Sequence, residues 1–266
     1  MASDAQRVAD VYSRQARGYA DTWSPVIRPV TLRLLEALPW TGVNRVLDVG
    51  TGTGALLPDI RCYAPSASVV GVDRSPGMLI VAAGHGTALA VMDASTLGIR
   101  DQCVDVAVMA FVLFHLQEPI PALAEAGRVL RAGGTLATVT WAEDPVTRAS
   151  QVWDDELNAH GAIDPMPMPP RNDDIMNTPE KMAVLFGKAG LETVRAWVER
   201  LEHTWHADRF VVMRTTFGAS KRKLESLAPA ARIGFLERAR EVIGQLSPED
   251  FRYRAAAVCA IARRPA

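Results

Sequence analysis

At 266 residues, with hydrophobic side chains making up 48%, the chain is long enough for one large domain with a sizeable buried core. Its 29 Lys and Arg nearly balance 30 Asp and Glu, for a net charge of −1. That leaves no basic field for a nucleic-acid backbone. Three scattered cysteines, Cys62, Cys103 and Cys259, suit neither a disulfide framework nor a CxxC metal or redox site, and they point to a reducing compartment.

The N-terminus, "MASDAQRVADVYSRQ", is polar, and no segment approaches the roughly 20 apolar residues of a membrane span. The expectation is a soluble cytoplasmic protein, monomeric or homodimeric, with no membrane, metal or nucleic-acid partner. Residues 1–40 read as a helical cap. In "DAQRVADVYSRQARGYADTW" apolar residues recur every three or four positions, and "RPVTLRLLEALPW" is a second amphipathic helix, stopped near Pro39. Next come "RVLDVG", "SVVGVD", "ALAVMD", "VDVAVMAF" and "GTLATVTW", short and β-branched, as strands buried on both faces are. Helical stretches such as "SPGMLIVAAGHG" and "PIPALAEAGRVLRAGG" separate them, which predicts a parallel sheet covered on both sides.

After Trp141 the alternation breaks. Residues 164–180, "DPMPMPPRNDDIMNTPE", hold five prolines and read as a loop or lid. "PEKMAVLFGKAG" is a helix with Gly190 as its C-cap. "LETVRAWVERLEHTW" is an edge strand, residues 207–245 are helical, and "FRYRAAAVCAIARRP" is a final strand. The run Lys221, Arg222, Lys223 reads as a solvated helix face.

The most informative stretch is "VLDVGTGTG", residues 46–54. A strand that runs into Gly50, Gly52 and Gly54 ends in a turn where backbone must bend sharply and a ligand must come close. Dinucleotide folds space their glycines GxGxxG and rest a pyrophosphate there, but here position 55 is Ala and Asp48 precedes the glycines. A carboxylate repels pyrophosphate and suits an ammonium. The next strand ends in Asp73, placed to accept ribose hydroxyls, and the third in Asp93, suited to an adenine amine or to capping a helix. A ribose-bearing adenine nucleoside with a cationic amino-acid tail and no phosphate describes S-adenosylmethionine.

With "VVGVDRSPGML", "VMDAS", "CVDVAVMAFVLFHL" and "EAGRVLRAGGTLATVTW" following in order, the chain resembles a class I S-adenosylmethionine-dependent methyltransferase of the small-molecule and ubiquinone-methyltransferase-like group. The resemblance runs from about residue 10 to 141 and weakly beyond. It implies an α/β fold: a doubly wound, seven-stranded, mostly parallel sheet (a Rossmann-like methyltransferase fold) in the order 3-2-1-4-5-7-6, with the last strand antiparallel. The whole chain would be one domain, with an N-terminal helical cap (1–40), a cofactor-binding core (41–141) and inserted lid or substrate segments (142–180 and 205–250).

By the same resemblance, Gly50, Thr51 and Gly52 pack on the methionine part of the cofactor and Asp48 lies near its amine. Asp73 binds the ribose, Arg74 and Met78 flank the nucleoside, and Asp93 with Ala94 reads the adenine. The carbonyl region at Met109 to Phe111 lies beneath the sulfonium. Tyr12 and Tyr19 either cover the cofactor or are core aromatics. His115 follows the fourth strand, where a general base would stand, although the resemblance favours a structural or cofactor-packing role for it. His160, before the lid, and Glu143 and Asp144, after the fifth strand, are the other candidate bases. Met166 and Met168, and Phe210, Met213 and Phe217, are candidates to line an apolar pocket. The expected activity is methyl transfer from S-adenosylmethionine, leaving S-adenosylhomocysteine, to an oxygen, nitrogen or carbon of a small molecule such as a natural-product intermediate. Alternatives are a fold relative with another activity such as cyclisation, a non-catalytic binding module, and a nicotinamide-dependent oxidoreductase.

Overall fold

A computed structural model describes residues 3–266. Seven strands form one sheet: β1 (Arg45–Val49), β2 (Ser68–Asp73), β3 (Ala88–Val91), β4 (Val104–Ala110), β5 (Leu130–Glu143), β6 (Glu192–Thr204) and β7 (Arg252–Arg263). Their order is β3-β2-β1-β4-β5-β7-β6. The first five pair in parallel, and β7 runs antiparallel between β5 and β6, as expected. The centre of the sheet is Val- and Ala-rich and buried on both faces, because helices cover both. The register sets Asp48 of β1 beside Gly71 of β2 and Val108 of β4, and Asp73 beside Val91 of β3. The carboxyl ends of β1 to β4 therefore share one edge. Strand order reverses between β1 and β4, and the crevice at such a reversal is where open α/β sheets bind ligands.

The helices between strands are α3 (Leu57–Tyr63), α4 (Pro76–Ala82), α5 (Pro119–Val129) and α7 (Pro179–Lys188). The cap is more continuous than the sequence suggests. Helix α1 (Asp4–Gly18), started by Ser3 accepting from the Gln6 amide at 3.2 Å, passes through a π-helical turn at Tyr19–Trp23 into α2 (Ser24–Glu36). Pro29 lies inside α2. A single π turn widens the helix and re-aims the side chains around it, here Tyr19 and Trp23.

Three further helices, α8 (Ala207–Thr216), α9 (Gly218–Ser226) and α10 (Pro229–Gly244), occupy the stretch read as helical. Helix α6 (Arg148–Ala159) is one the sequence reading leaves out. Its signals are present: Thr147 caps it by accepting from the Ser150 amide at 3.1 Å, and Ala149, Trp153 and Leu157 repeat along its buried side. Within 164–178 the only regular element is a 3₁₀ turn, Asp173–Ile175, because prolines remove donors and fix φ. Among the described residues no helix is long and apolar enough to cross a membrane.

Candidate functional site

All three glycines after β1 have positive φ, +70° at Gly50, +56° at Gly52 and +76° at Gly54, a region that side chains disfavour. A Cβ on Gly50 would lie 2.2 Å from Val112 Cγ2, so the turn closes against the β4 edge only without a side chain. The Gly50 and Thr51 amides both donate to the Val72 carbonyl, at 2.7 and 2.9 Å, which ties the turn to β2. The Gly52 amide donates to Asp73 Oδ2 at 2.8 Å, and Ser75 N donates to Oδ1 at 2.7 Å. Each oxygen of Asp73 keeps a second lone pair for a ligand. Burial raises the Asp73 pKa, and the amide donors from Ser75 and Gly52 oppose that rise.

Asp48 is buried beneath the turn, where its Oδ2 accepts from Thr51 Oγ1 at 2.7 Å. Burial pushes its carboxyl up to about 6, against the Thr51 hydrogen bond. Farther along the edge, Arg74 Nη1 donates to Asp93 Oδ2 at 2.7 Å, and Asp93 Oδ1 accepts from Ser95 N at 2.8 Å. Asp73, Arg74, Met78, Asp93 and Ala94, with Gly50 and Gly52, line a cavity of about 140 Å³. A smaller recess holding Asp48 and Thr51 adjoins it at Gly50 and Gly52.

Helix α1 roofs this cavity with Tyr12, which the π turn extends with Tyr19. Two glycines bring the roof down. A Cβ on Gly77 of α4 would lie 2.4 Å from the Ser13 carbonyl oxygen, and one on Gly18 would lie 2.2 Å from that of Thr216. Ser13 Oγ is 2.7 Å from Ser75 Oγ and accepts from the Gly77 amide at 3.2 Å.

Behind the roof lies a second cavity, of about 410 Å³, walled by Trp23, Phe114, Trp141, Phe217 and Met168. Tyr12 and His115 line both cavities and stand at their junction. The Tyr12 hydroxyl is 3.0 Å from His115 Nε2 and the rings meet edge to face at 5.3 Å. Burial, then the charge of Arg171, lowers the His115 pKa to about 3, so its imidazole is neutral. Burial raises the Tyr12 hydroxyl to about 12 and moves Tyr19 upward too.

A family model described as a methyltransferase domain matches residues 47–138. The chain is 36% identical over 141 residues to the malonyl-[acyl-carrier protein] O-methyltransferase of Geobacter sulfurreducens, covering 50% of this chain and 52% of that one. It is 30% identical over 153 residues to the aklanonic acid methyltransferase DauC of Streptomyces sp. (strain C5), covering 54% of this chain and 67% of that one. The chain belongs to the class I S-adenosylmethionine-dependent methyltransferases. Its match spans about half to two thirds of the length of these curated relatives. Among solved structures it is similar to the [4+2]-cyclase SpnF, with a TM-score of 0.56 at 21% identity over 92% of this chain and 84% of that one, a likeness of fold alone.

In this methyltransferase the structure gathers Tyr12, Tyr19, Gly50, Gly52, Asp73, Arg74, Met78, Asp93, Ala94 and Phe111 around one cavity, with Asp48 and Thr51 in the adjoining recess. Met109 does not join them. It is fully buried within β4, and the wall comes from Ala110, Phe111 and Val112. Phe111 reaches the wall through a left-handed backbone, φ +57°, with its amide donating to the Val139 carbonyl at 2.8 Å and its ring 4.6 Å from that of Trp141.

His160 is also absent from both cavities. It ends α6, with Nδ1 2.9 Å from the Glu156 carbonyl and its ring against Phe235. His115 is in place, but a group titrating near 3 is a weak base at neutral pH. Asp144 lines the second cavity, where it accepts from Arg171 and from the Tyr253 hydroxyl, so it is a holding group. Glu143 is exposed.

Arg222 corrects the reading of a solvated basic run: it is buried, and its fork grips Asp164 at 2.9 and 2.6 Å. Of the apolar candidates, Met168 and Phe217 reach the second cavity, whereas Phe210 packs on Trp153 and Phe251. The sequence reading misses Arg171, Trp23, Phe114 and Trp141 as cavity residues. Phe114 and Trp141 fall within the motifs after the fourth and at the fifth strand, but nothing in those motifs marks them as cavity walls, since residues from the cap, the turn after β4, β5 and the proline-rich segment meet only in the fold.

Proposed function

We propose that this methyltransferase transfers a methyl group from S-adenosylmethionine to a small-molecule acceptor held in the second cavity. The observation that carries this reading is the meeting of two cavities at Tyr12 and His115. One is built from glycine turns and strand-end carboxylates, the other from aromatic walls. The residues present fit the cofactor. Gly52 leaves space that a Cβ would fill, with nothing nearer to it than 4.0 Å, and Asp73 keeps lone pairs for vicinal hydroxyls. Asp48 is a buried carboxyl without a cationic partner among the described residues, as an ammonium-bearing ligand requires.

When bound, the cofactor would supply an activated methyl to the acceptor's lone pair, with the neutral thioether as leaving group. The protein's own tasks are then positioning and the exclusion of water. Asp73, Asp93 with Arg74, and the 50–52 turn fix the nucleoside and the amino-acid tail. The Gly77 and Gly18 contacts hold α1 down over the site. Tyr12 and the neutral imidazole of His115 present no charge to compete for the acceptor. Alignment of this kind supplies roughly 7–11 kcal/mol of a barrier without a base. Similarity to an O-methyltransferase favours an oxygen nucleophile.

Calorimetric titration with S-adenosylmethionine, S-adenosylhomocysteine and NADH tests the reading. It expects the first two to bind and NADH not to bind. Binding of NADH alone overturns it.

A further inference from the structure

Two guanidinium groups line the second cavity, from segments that carry no family motif. Arg171 sits in the proline-rich segment. Its Nη1 donates to Asp144, its Nε lies 2.7 Å from Asp173 Oδ2, and its guanidinium carbon lies 4.6 Å from the Phe114 ring centre and 5.8 Å from that of Trp141. Arg222, on α9, uses Nε and Nη2 on Asp164.

An arginine fork carries five N–H bonds on three nitrogens. These pairs engage Nη1 and Nε of Arg171 and Nε and Nη2 of Arg222, which leaves Nη2 of Arg171 and Nη1 of Arg222 for a ligand. Asp144, Asp173 and the faces of Phe114 and Trp141 hold the guanidinium plane of Arg171, and Asp164 holds that of Arg222, so little side-chain entropy remains to be lost on binding. Tyr12 and His115 register the resulting field at the junction. Arg171 is the strongest charge acting on either group; at Tyr12 it is followed by Asp73 of the first cavity, then by Arg222, then by Asp144. The other walls of the cavity include Trp23, Phe114, Trp141 and Phe217, which suits a flat apolar body.

We infer that the acceptor is a flat apolar molecule bearing an oxyanion, a carboxylate or an ionised phenol, and that Arg171 and Arg222 bind that oxyanion. The inference rests on the methyl-transfer reading above and names the substrate class of the same site. An acceptor that arrives ionised sheds no proton, which agrees with a junction where Tyr12 and His115 are both neutral.

The test is calorimetry on protein saturated with S-adenosylhomocysteine. The probes are 2-naphthoate, 4-nitrophenolate and the neutral alcohol 2-naphthalenemethanol. At least one oxyanion binds about tenfold or more tighter than the alcohol, as a charge-assisted hydrogen bond implies. Arg171→Gln and Arg222→Gln each weaken it about tenfold while S-adenosylhomocysteine still binds, which shows that the variants are folded. Arg222→Lys recovers part of the loss. The naphthoate and nitrophenolate arms tell carboxylate from phenolate.

Equal affinity for acid and alcohol overturns the inference. So does an oxyanion affinity unchanged in both glutamine variants, or no binding of either oxyanion. If S-adenosylhomocysteine fails to bind the wild type, the methyl-transfer reading falls first, before any arene is added. The same arene titrations on the free protein then still read the arginine claim.

Discussion

Around the glycine-turn cavity the holding groups are mostly backbone. Amides of Gly50, Thr51, Gly52 and Ser75 fasten β1 to β2 and fix Asp73, all within about one βαβ unit. Around the second cavity they are side chains from distant parts of the chain: Arg171 on Asp144, Arg222 on Asp164, Tyr253 on Asp144 and Gln15 on Gly218. A backbone cradle tolerates almost no change of residue type where φ is positive. A side-chain cradle is re-made by substitution without disturbing the sheet. The first half is therefore the one that suits a constant ligand, and the second the one that suits a variable acceptor.

The sharpest way to break this contrast is Gly50→Val. Left-handed strain costs about 1–3 kcal/mol, and the contact with Val112 adds to it, so affinity for S-adenosylhomocysteine falls by on the order of 100-fold. Calorimetry checks the affinity and circular dichroism the fold. Wild-type affinity in this variant would mean that the turn is not the binding element.

Next in size is Gly77→Ala, which sets a methyl against the Ser13 backbone and lifts α1 from α4. Overpacking of this kind costs about 1–3 kcal/mol and lowers the melting temperature. If α1 is the roof of the first cavity, added S-adenosylhomocysteine stabilises the variant less than it stabilises the wild type. An equal thermal shift would remove α1 from the site.

A smaller effect comes from Asp48. Its carboxyl, raised to about 6, must ionise to pair with an ammonium, so affinity for S-adenosylhomocysteine is lost as pH falls through 6. A drop of about tenfold between pH 7 and 5 is expected, and Asp48→Asn flattens it. In the free protein the sign reverses. The folded state holds the proton that the unfolded state releases, so this group's contribution to stability declines as pH rises from about 4 through 6.

The least change is expected at His115. With its pKa lowered to about 3, the pH profile of kcat/KM has no limb near 6.5 that belongs to it. Such a limb, lost in His115→Gln, would restore His115 as the base.

The same contrast explains what could be read from sequence. The strand order follows from the family resemblance, whereas the residues gathered at the first cavity are legible on their own, because positive φ demands glycine and strand ends place carboxylates, and both leave local, contiguous signals. Of the Met109 to Phe111 stretch, Ala110 and Phe111 line the cavity and the Met109 side chain is buried within β4. Arg171 and Arg222 leave no such signal: Asp173 is a local partner of Arg171, but Asp144 and Asp164, which complete the two clusters, lie 27 and 58 residues from their arginines and meet them only in the tertiary fold. Arg222 was concealed further by charged neighbours that imitate a solvated face. Helix α6 has its own signals in the Thr147 cap and apolar spacing, but it falls where the strand–helix alternation breaks.

A crystal structure of the S-adenosylhomocysteine complex tests the central claim most directly. The account predicts the adenosine between Asp73 and Asp93, the amino-acid tail over the 50–52 turn near Asp48, and the sulfur facing the second cavity past Tyr12 and His115. Density for the ligand elsewhere, or a sulfur walled off from the second cavity, would contradict it.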